Sequence, residues 1–413
     1  MTIVVCEPQC RGFEHASFNA ALLLSMKHAF PRANLRFLAD PGHLSRVAEV
    51  LSQTDTDIPE VCTLEGIRTP GRRRMNWGRL PSELSWCHRM ADVVRHDGAS
   101  LLVVSSVVNT TILALEGALA TGIIPCPVVA VIHGALSSLL FPRPRRPWNA
   151  IIALKTVLHL PQPRNLGFLV LGEEILRTAR ELGYGNDDRW MSIDHPYVWP
   201  ATAETADLNA DTIRFGFFGV GTMGAWNKNF QSFLDLAGRV RGRTARATFE
   251  IVGFTDIGVE SQSVQGCARD PLPHAEYLAK GRGIHYAVSL GNPAIYRLCA
   301  SGSFLDAMAL AKPVIAMDNA YLRSYTSRLG DIGYLCHSID VLEDTICQIA
   351  EHPPWDRYIR QRQTILQGRR IFEPAAVGSR FRSTLSPWLA EIEPRREKEI
   401  QRTGWPIPRR REP

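Results

Sequence analysis

The sequence predicts an α/β chain built as two Rossmann-like domains. Short apolar runs alternate with amphipathic helical stretches from end to end, and the alternation restarts after a segment with no apolar periodicity. The length, 413 residues, suits two cores at roughly 100–200 residues each. Hydrophobic residues at 45% and charged residues at 21% exclude a disordered or fibrous chain. No run approaches about 18 uninterrupted apolar residues, and MTIVVCEPQC lacks the basic and long apolar regions of a secretory signal. A cytosolic protein is expected. Its nine cysteines, at 6, 10, 62, 87, 126, 267, 299, 336 and 347, show no zinc-site spacing and read as reduced thiols.

Taken in order, the first half offers strands at Thr2 to Cys6, Asn34 to Leu38, Ser100 to Ser105, Val128 to Ile132 and Leu166 to Leu171. Between the first two, Ser17 to Ala29 reads as a helix, with Ala20, Leu23, Leu24 and Lys27 at helical spacing and Pro31 closing it. Pro200 to Asp211, PATAETADLNAD, reads as a linker. Strands then resume at Ile213 to Phe218, Thr248 to Val252, Tyr286 to Ser289, Pro313 to Met317 and Gly333 to Cys336, and an amphipathic helix spans Ala376 to Ile392. The expected division is 1–199, 200–375 and a polar, basic tail at 393–413, with no solenoid repeat. Open α/β sheets bind ligands at the carboxyl ends of their strands, so a cleft between two such domains is the expected site.

The net charge of +6 is unevenly spread. Residues 357–411 carry 14 Lys or Arg against 5 Glu, and Arg72, Arg73, Arg74 and Arg143, Arg145, Arg146 form two further basic runs. These suit phosphates of an anionic membrane, a nucleotide or a nucleic acid; a solvated tail is the plainer reading. The interleaved aromatics and module signatures of a nucleic-acid binder are missing, so no nucleic-acid partner is expected.

Chemistry concentrates in Gly302-Ser303-Phe304-Leu305-Asp306-Ala307-Met308-Ala309-Leu310-Ala311-Lys312-Pro313-Val314-Ile315-Ala316. A small-residue turn opens a helix whose first-turn amides have no intrahelical partner and can hold a diphosphate. Asp306 lies about one turn in, within reach of the two hydroxyls of a ribose. An N-capped helix, with Ser301 or Ser303 as cap and Asp306 favouring the dipole, is the equally simple alternative. A second segment, Phe215-Gly216-Phe217-Phe218-Gly219, is a strand leading through a loop to Asn227-Lys228-Asn229-Phe230 at a helix start. In the first half, Val128-Val129-Ala130-Val131-Ile132-His133-Gly134 ends a strand on a histidine, and Gln9-Cys10-Arg11-Gly12-Phe13-Glu14-His15 follows the first strand.

The segment GSFLDAMALAKPVIAMD resembles the nucleotide-binding motif of GT-B glycosyltransferases of the retaining group around family 4. The resemblance implies two Rossmann-like domains facing across a cleft, with helix 376–392 returning to the first domain. It implies transfer of a sugar from a nucleotide-sugar to a glycan or lipid-linked acceptor, as in bacterial surface glycoconjugate synthesis. By its motif, Asp306 stands where the donor ribose is held, and the amides of Ser301, Gly302, Ser303 and Phe304 face the diphosphate. Lys228, beyond Gly219, would neutralise the departing diphosphate. His133 would meet the sugar, and Gly12 would allow close approach of sugar or acceptor, with Arg11, Glu14 and His15 as acceptor contacts. No cofactor and no metal are expected, since Lys228 and helix amides supply the positive charge.

Two positions depart from the pattern: Val220 stands where the group has Arg, and Leu298 where it has Glu. Arg297 or Arg214 is the candidate substitute for the missing cation. A catalytically silent scaffold is therefore an alternative. So is an NAD-dependent oxidoreductase, because Gly219, Gly221 and Gly224 spell G-x-G-x-x-G, although Trp226 to Asn229 intervene before the helix. Asp55-Thr56-Asp57 spells D-x-D in a polar stretch and reads as a solvated loop.

Overall fold

The computed structural model describes residues 1–54, 58–71, 77–141, 147–200, 206–221, 228–255, 263–266 and 268–403, with 59, 147 and 393–403 as backbone. The chain divides into two compact units, Met1–Val198 with Phe372–Pro413, and Trp199–Ile371. Asp55 to Asp57, Arg72 to Arg74, Arg143 to Arg146, Gly224 and 404–413 lie outside the described residues.

The first unit holds β1 (Thr2–Cys6), β2 (Asn34–Ala39), β3 (Thr63–Gly66), β4 (Leu101–Val104), β5 (Val128–Ile132), β6 (Leu166–Val170) and β7 (Trp190–Ser192). They form one parallel sheet in the order β3-β2-β1-β4-β5-β6-β7. The second holds β8 (Ile213–Gly221), β9 (Ala247–Thr255), β10 (Tyr286–Ser289), β11 (Val314–Met317) and β12 (Gly333–Cys336), also parallel, in the order β12-β11-β10-β8-β9. Every residue of β4, β5 and β6 is buried, as parallel strands covered on both faces require. The strand order reverses between β1 and β4 and between β8 and β10, and at such points a crevice opens at the carboxyl ends.

Three sequence expectations are corrected. The first sheet has seven strands where five were expected, because β3 (TLEG) has no buried residue and β7 (WMS) has only three residues. Edge strands need no long apolar run. The last helix runs from Pro374 to Thr403, well into the segment expected as tail. Past Pro394 the residues RREKEIQRT are good helix formers, and propensity carries the helix on. Gly219 and Gly221 of the dinucleotide-like motif do not open a turn, since both belong to β8.

In the first unit, Val377, Phe381, Leu385 and Trp388 form the buried stripe of the last helix, which packs on the helix Ala16–Ala29. The approach is close, since a Cβ on Gly378 would lie 2.4 Å from the Ser25 carbonyl oxygen. The second unit is centred on aromatic rings. Phe217 lies 5.2 Å from both Phe230 and Phe233, and Phe215 5.6 Å from Phe249, pairs worth about 0.5–1.5 kcal/mol each beyond their burial. Those contacts anchor β8, whose last residues reach the crevice.

Candidate functional site

At the switch point of the second unit, β8 delivers Phe218 and Gly219, and Lys228 stands two residues before the helix Phe230–Arg243. The Lys228 ammonium donates to Ser303 Oγ at 3.0 Å, and that hydroxyl donates to the Phe218 carbonyl at 2.9 Å. Gly219 makes the arrangement sterically feasible: its φ is +104°, and a Cβ there would lie 2.4 Å from Lys228 Nζ. On the adjoining β9, a Cβ on Gly253 would lie 2.0 Å from the Gly219 carbonyl oxygen, so both backbones stay bare. Asn229, in the left-handed conformation at φ 49°, precedes the helix Phe230–Arg243 without capping it through its side chain, and instead donates through Nδ2 to the Leu290 carbonyl at 2.9 Å, fixing the neighbour of Lys228 to the end of β10.

Burial depresses the Lys228 pKa below the ordinary lysine value, and the Asp306 carboxylate and Cys299 thiol only partly restore it. The cation is thus partly desolvated, a setting in which an incoming anion gains more than in open water.

The helix Gly302–Ala309 begins where the sequence places it, with Ser301 as N-cap: its hydroxyl accepts from the Phe304 amide at 3.2 Å. This corrects one expectation, because the Phe304 amide is already satisfied, and its ring packs against Tyr321 and Tyr325. The anion-facing candidates reduce to the amides of Ser301, Gly302 and Ser303 and to Lys228, since the Ser303 hydroxyl already donates to the Phe218 carbonyl. Asp306 carries a partner that no local sequence signal reveals, the Tyr277 hydroxyl, which donates to Asp306 Oδ2 at 2.8 Å from the helix His274–Arg282. Arg214 is excluded as a substitute cation, because it opens β8 at the amino end, about 17 Å of extended strand from Gly219. Leu298 is buried in the core.

At the first unit's switch point a buried polar network holds the loop after β1. Glu7 is fully buried, and its Oε1 accepts from the Gln9 and Cys10 amides and the Ser106 hydroxyl, its Oε2 from Ser105 and Asn19. Burial alone would raise this carboxyl, but the Ser106 hydroxyl, His15 and the Gln9 amide more than offset it, and it lies below the usual range. Arg79, also buried, donates to Glu83 and Gln9. His43 accepts from Asn19 through Nε2 and donates from Nδ1 to the Gly12 carbonyl at 2.9 Å, setting the loop at Gly12, whose φ is +54°.

That loop brings together two of the sequence candidates. His15, at φ 53°, stacks on His133 with ring centroids 3.9 Å apart. Phe18 and His195 close edge-on against His133 at 4.6 and 5.1 Å. Burial pushes His195 down to about 4, against its hydrogen bond to the Pro196 carbonyl, so it is neutral at pH 7. Arg11 points elsewhere, toward Asp40 at 3.9 Å and over Gly71, and Glu14 is half-buried in the turn. Among the described residues, Glu7, Cys10 and His15 are close enough to share a metal ion. The Glu7 oxygens already accept five hydrogen bonds, so they fit the role of loop anchor better than that of ligand.

The architecture matches solved glycosyltransferases of the GT-B type at low identity. HepE of Anabaena, in a structure with UDP and glucose, superposes with TM-score 0.63 at 14% identity over 94% of this chain and 100% of that one. TarM of S. aureus, in a structure of a mutant with UDP, fondaparinux and α-GlcNAc-glycerol, gives 0.57 at 10% over 93% and 99%. The glycotransferase of kitacinnamycin gives 0.55 at 12% over 94% and 98%. No family model and no curated protein matches the chain. The fold is GT-B: two parallel-sheet Rossmann-like domains, with sheets of seven and five strands.

Proposed function

We propose that the chain is a glycosyltransferase that moves a sugar from a nucleoside-diphosphate sugar to a glycan or lipid-linked acceptor. The observation that carries this reading is the convergence of Lys228, Ser303 and the bare backbone of Gly219 at a topological switch point, with Asp306 close enough to act on Lys228 electrostatically. Lys228 and the Ser301, Gly302 and Ser303 amides would bind the diphosphate and stabilise its charge as the sugar–phosphate bond breaks. Asp306, held by Tyr277, would accept from the ribose hydroxyls. UDP is the first donor nucleotide to test, since the HepE and TarM structures contain it.

The first unit would serve the acceptor, with His15 and His133 as hydrogen-bonding groups at its crevice. Retention of configuration, kinship with the family 4 group, a bacterial surface glycoconjugate as product and a metal-independent reaction belong to the proposal through the motif resemblance and through the cationic character of the Lys228 site.

The test is a thermal-shift screen against UDP, GDP, ADP, dTDP and NAD, in which a ligand at about 100 times its Kd adds about 2.7 kcal/mol. A shift with one nucleoside diphosphate, abolished in Asp306→Ala, is expected. No shift with any diphosphate refutes the donor site, and a shift with NAD alone favours the oxidoreductase. A binding scaffold is the second reading, favoured by Val220 and Leu298 in place of charged residues. Nucleotide binding without sugar transfer to any acceptor decides for it.

A further inference from the structure

The loop after β1 brings a thiol and an imidazole together. Cys10 Sγ lies 3.4 Å from His15 Nδ1, and Glu7, Cys10 and His15 each offer a ligand atom within 4.8 Å of the other two. The sequence spacing of Cys10 and His15 marks no zinc motif, and it is the backbone that makes the pair. Two left-handed residues, Gly12 at φ +54° and His15 at φ 53°, reverse the chain between them. The Glu14 and Ala16 amides donate to the Arg11 and Phe13 carbonyls and close the turns. A side chain larger than glycine is uncommon at positive φ, and such positions collect where a group must point one way.

The distance between the two atoms fits a shared ion. Zn²⁺ holds a thiolate sulfur at about 2.3 Å and an imidazole nitrogen at about 2.0–2.1 Å, which at angles of about 100–110° sets the two about 3.3–3.6 Å apart. The observed 3.4 Å falls inside that range, so chelation needs no movement of the loop. Neighbouring groups hold both ligands in place. Glu7 Oε1 accepts from the Cys10 amide at 3.0 Å, and stacking on His133 fixes the His15 ring plane. The Glu7 oxygens are filled by their five hydrogen bonds, so this residue supplies nearby negative charge rather than a bond to the ion. Arg11, the only Lys or Arg between Glu7 and His15, turns to Asp40 at 3.9 Å. Cys10 is buried and His15 half-buried, which leaves the imidazole side as the way in.

We infer that Cys10 and His15 form a binding site for a zinc-class divalent ion, which pins the loop after β1. The Cys10 thiol releases its proton to solvent as the sulfur–metal bond forms, His15 binds through Nδ1, and water fills the remaining positions. A thiolate with an imidazole selects such an ion over Mg²⁺ or Ca²⁺, which prefer oxygen ligands. The site lies within the first unit, and the inference survives if the donor reading fails. One consequence rests on the proposed function: where His15 serves the acceptor, the bound ion withdraws that imidazole and slows transfer.

The reduced full chain is titrated with Co²⁺ alone, whose bond to a thiolate gives an ultraviolet charge-transfer band, and Zn²⁺ or Mg²⁺ is then added. A saturable band is expected, removed by Zn²⁺ and not by Mg²⁺. Cys10→Ala abolishes it, whereas Cys299→Ala, at a half-buried thiol of the second unit, retains it. His15→Asn, a residue that accepts the left-handed backbone, weakens Co²⁺ binding by about tenfold or more. Zn²⁺ raises the melting temperature of the wild type and leaves that of Cys10→Ala unchanged. Should Cys10→Ala prove unfolded by circular dichroism, His15→Asn decides alone. Absence of the band, a band that Cys10→Ala retains, or Co²⁺ affinity indifferent to His15→Asn overturns the inference and leaves the pair as a thiol–imidazole hydrogen bond.

Discussion

Replacing Lys228 by methionine is expected to move stability and binding in opposite directions. The ammonium sits over Gly219, donates to Ser303 Oγ at 3.0 Å, and has its pKa depressed first by burial. Methionine has comparable length and no charge to desolvate, and Ser303 keeps its bond to the Phe218 carbonyl. Removing a partly buried cation whose pKa is depressed is worth about 1 kcal/mol to the unliganded second unit, or roughly 2–4 °C in its Tm. The diphosphate, in contrast, loses a preorganised charge, an effect of about 100-fold. At a UDP concentration about 100 times the wild-type Kd, ligand stabilisation then falls from about 2.7 to about 0.4 kcal/mol. Thermal unfolding of both proteins with and without UDP, together with UDP release from the donor sugar, measures all three quantities. A variant that melts lower when unliganded yet keeps the full UDP shift refutes the reasoning: Lys228 would then be a strut holding its loop.

Tyr277→Phe deletes the hydroxyl that orients Asp306 and keeps the ring, which stands edge-on to Phe218 at 6.4 Å. Donor KM is expected to rise by about fivefold with kcat nearly unchanged, because the proposed ribose contact would serve ground and transition states alike. Gly219→Ala forces a side chain into the left-handed region and against Lys228 Nζ, so a loss of about 1–3 kcal/mol and of the UDP shift is expected in thermal unfolding. In the first unit, burial pushes the Glu116 carboxyl up to about 7, against a hydrogen bond with Gln162. A folded pKa above the unfolded one means that Glu116 costs stability increasingly as pH rises from about 4.5 to 7. Glu116→Gln therefore stabilises at pH 8, on the order of 1 kcal/mol, and leaves pH 4 unchanged; an equal gain at both pH values excludes titration as the cause.

The chain announces its central strands plainly, because a parallel strand covered on both faces must be an apolar run, as VVAVI and LLVV are. It hides its edges: Thr63–Gly66 and Trp190–Ser192 are held by neighbours on one side only and carry no such signature. Within the candidate site, Ser301, Ser303, Asp306 and Lys228 are legible as motif residues. Tyr277 is not, since a helix remote in sequence brings it to Asp306 and nothing local marks it. Ser301 shows the complementary limit, as the same serine suits a phosphate turn and an N-cap, and only geometry assigns it to the Phe304 amide. Arg214 was a plausible cation in one dimension and lies at the wrong end of its strand in three.

The pairing of the last helix with Ala16–Ala29 has a consequence for synthesis on the ribosome. The first unit to begin is the last to be completed, since its residues from Phe372 onward follow the whole of Trp199–Ile371. While the second unit closes from contiguous sequence, the face of Ala16–Ala29 that Val377, Phe381 and Leu385 will cover stays open to other partners. Nascent chains stalled before Phe372 should accordingly present a protease-resistant second unit and a chaperone-accessible first one, so the order of folding runs against the order of translation.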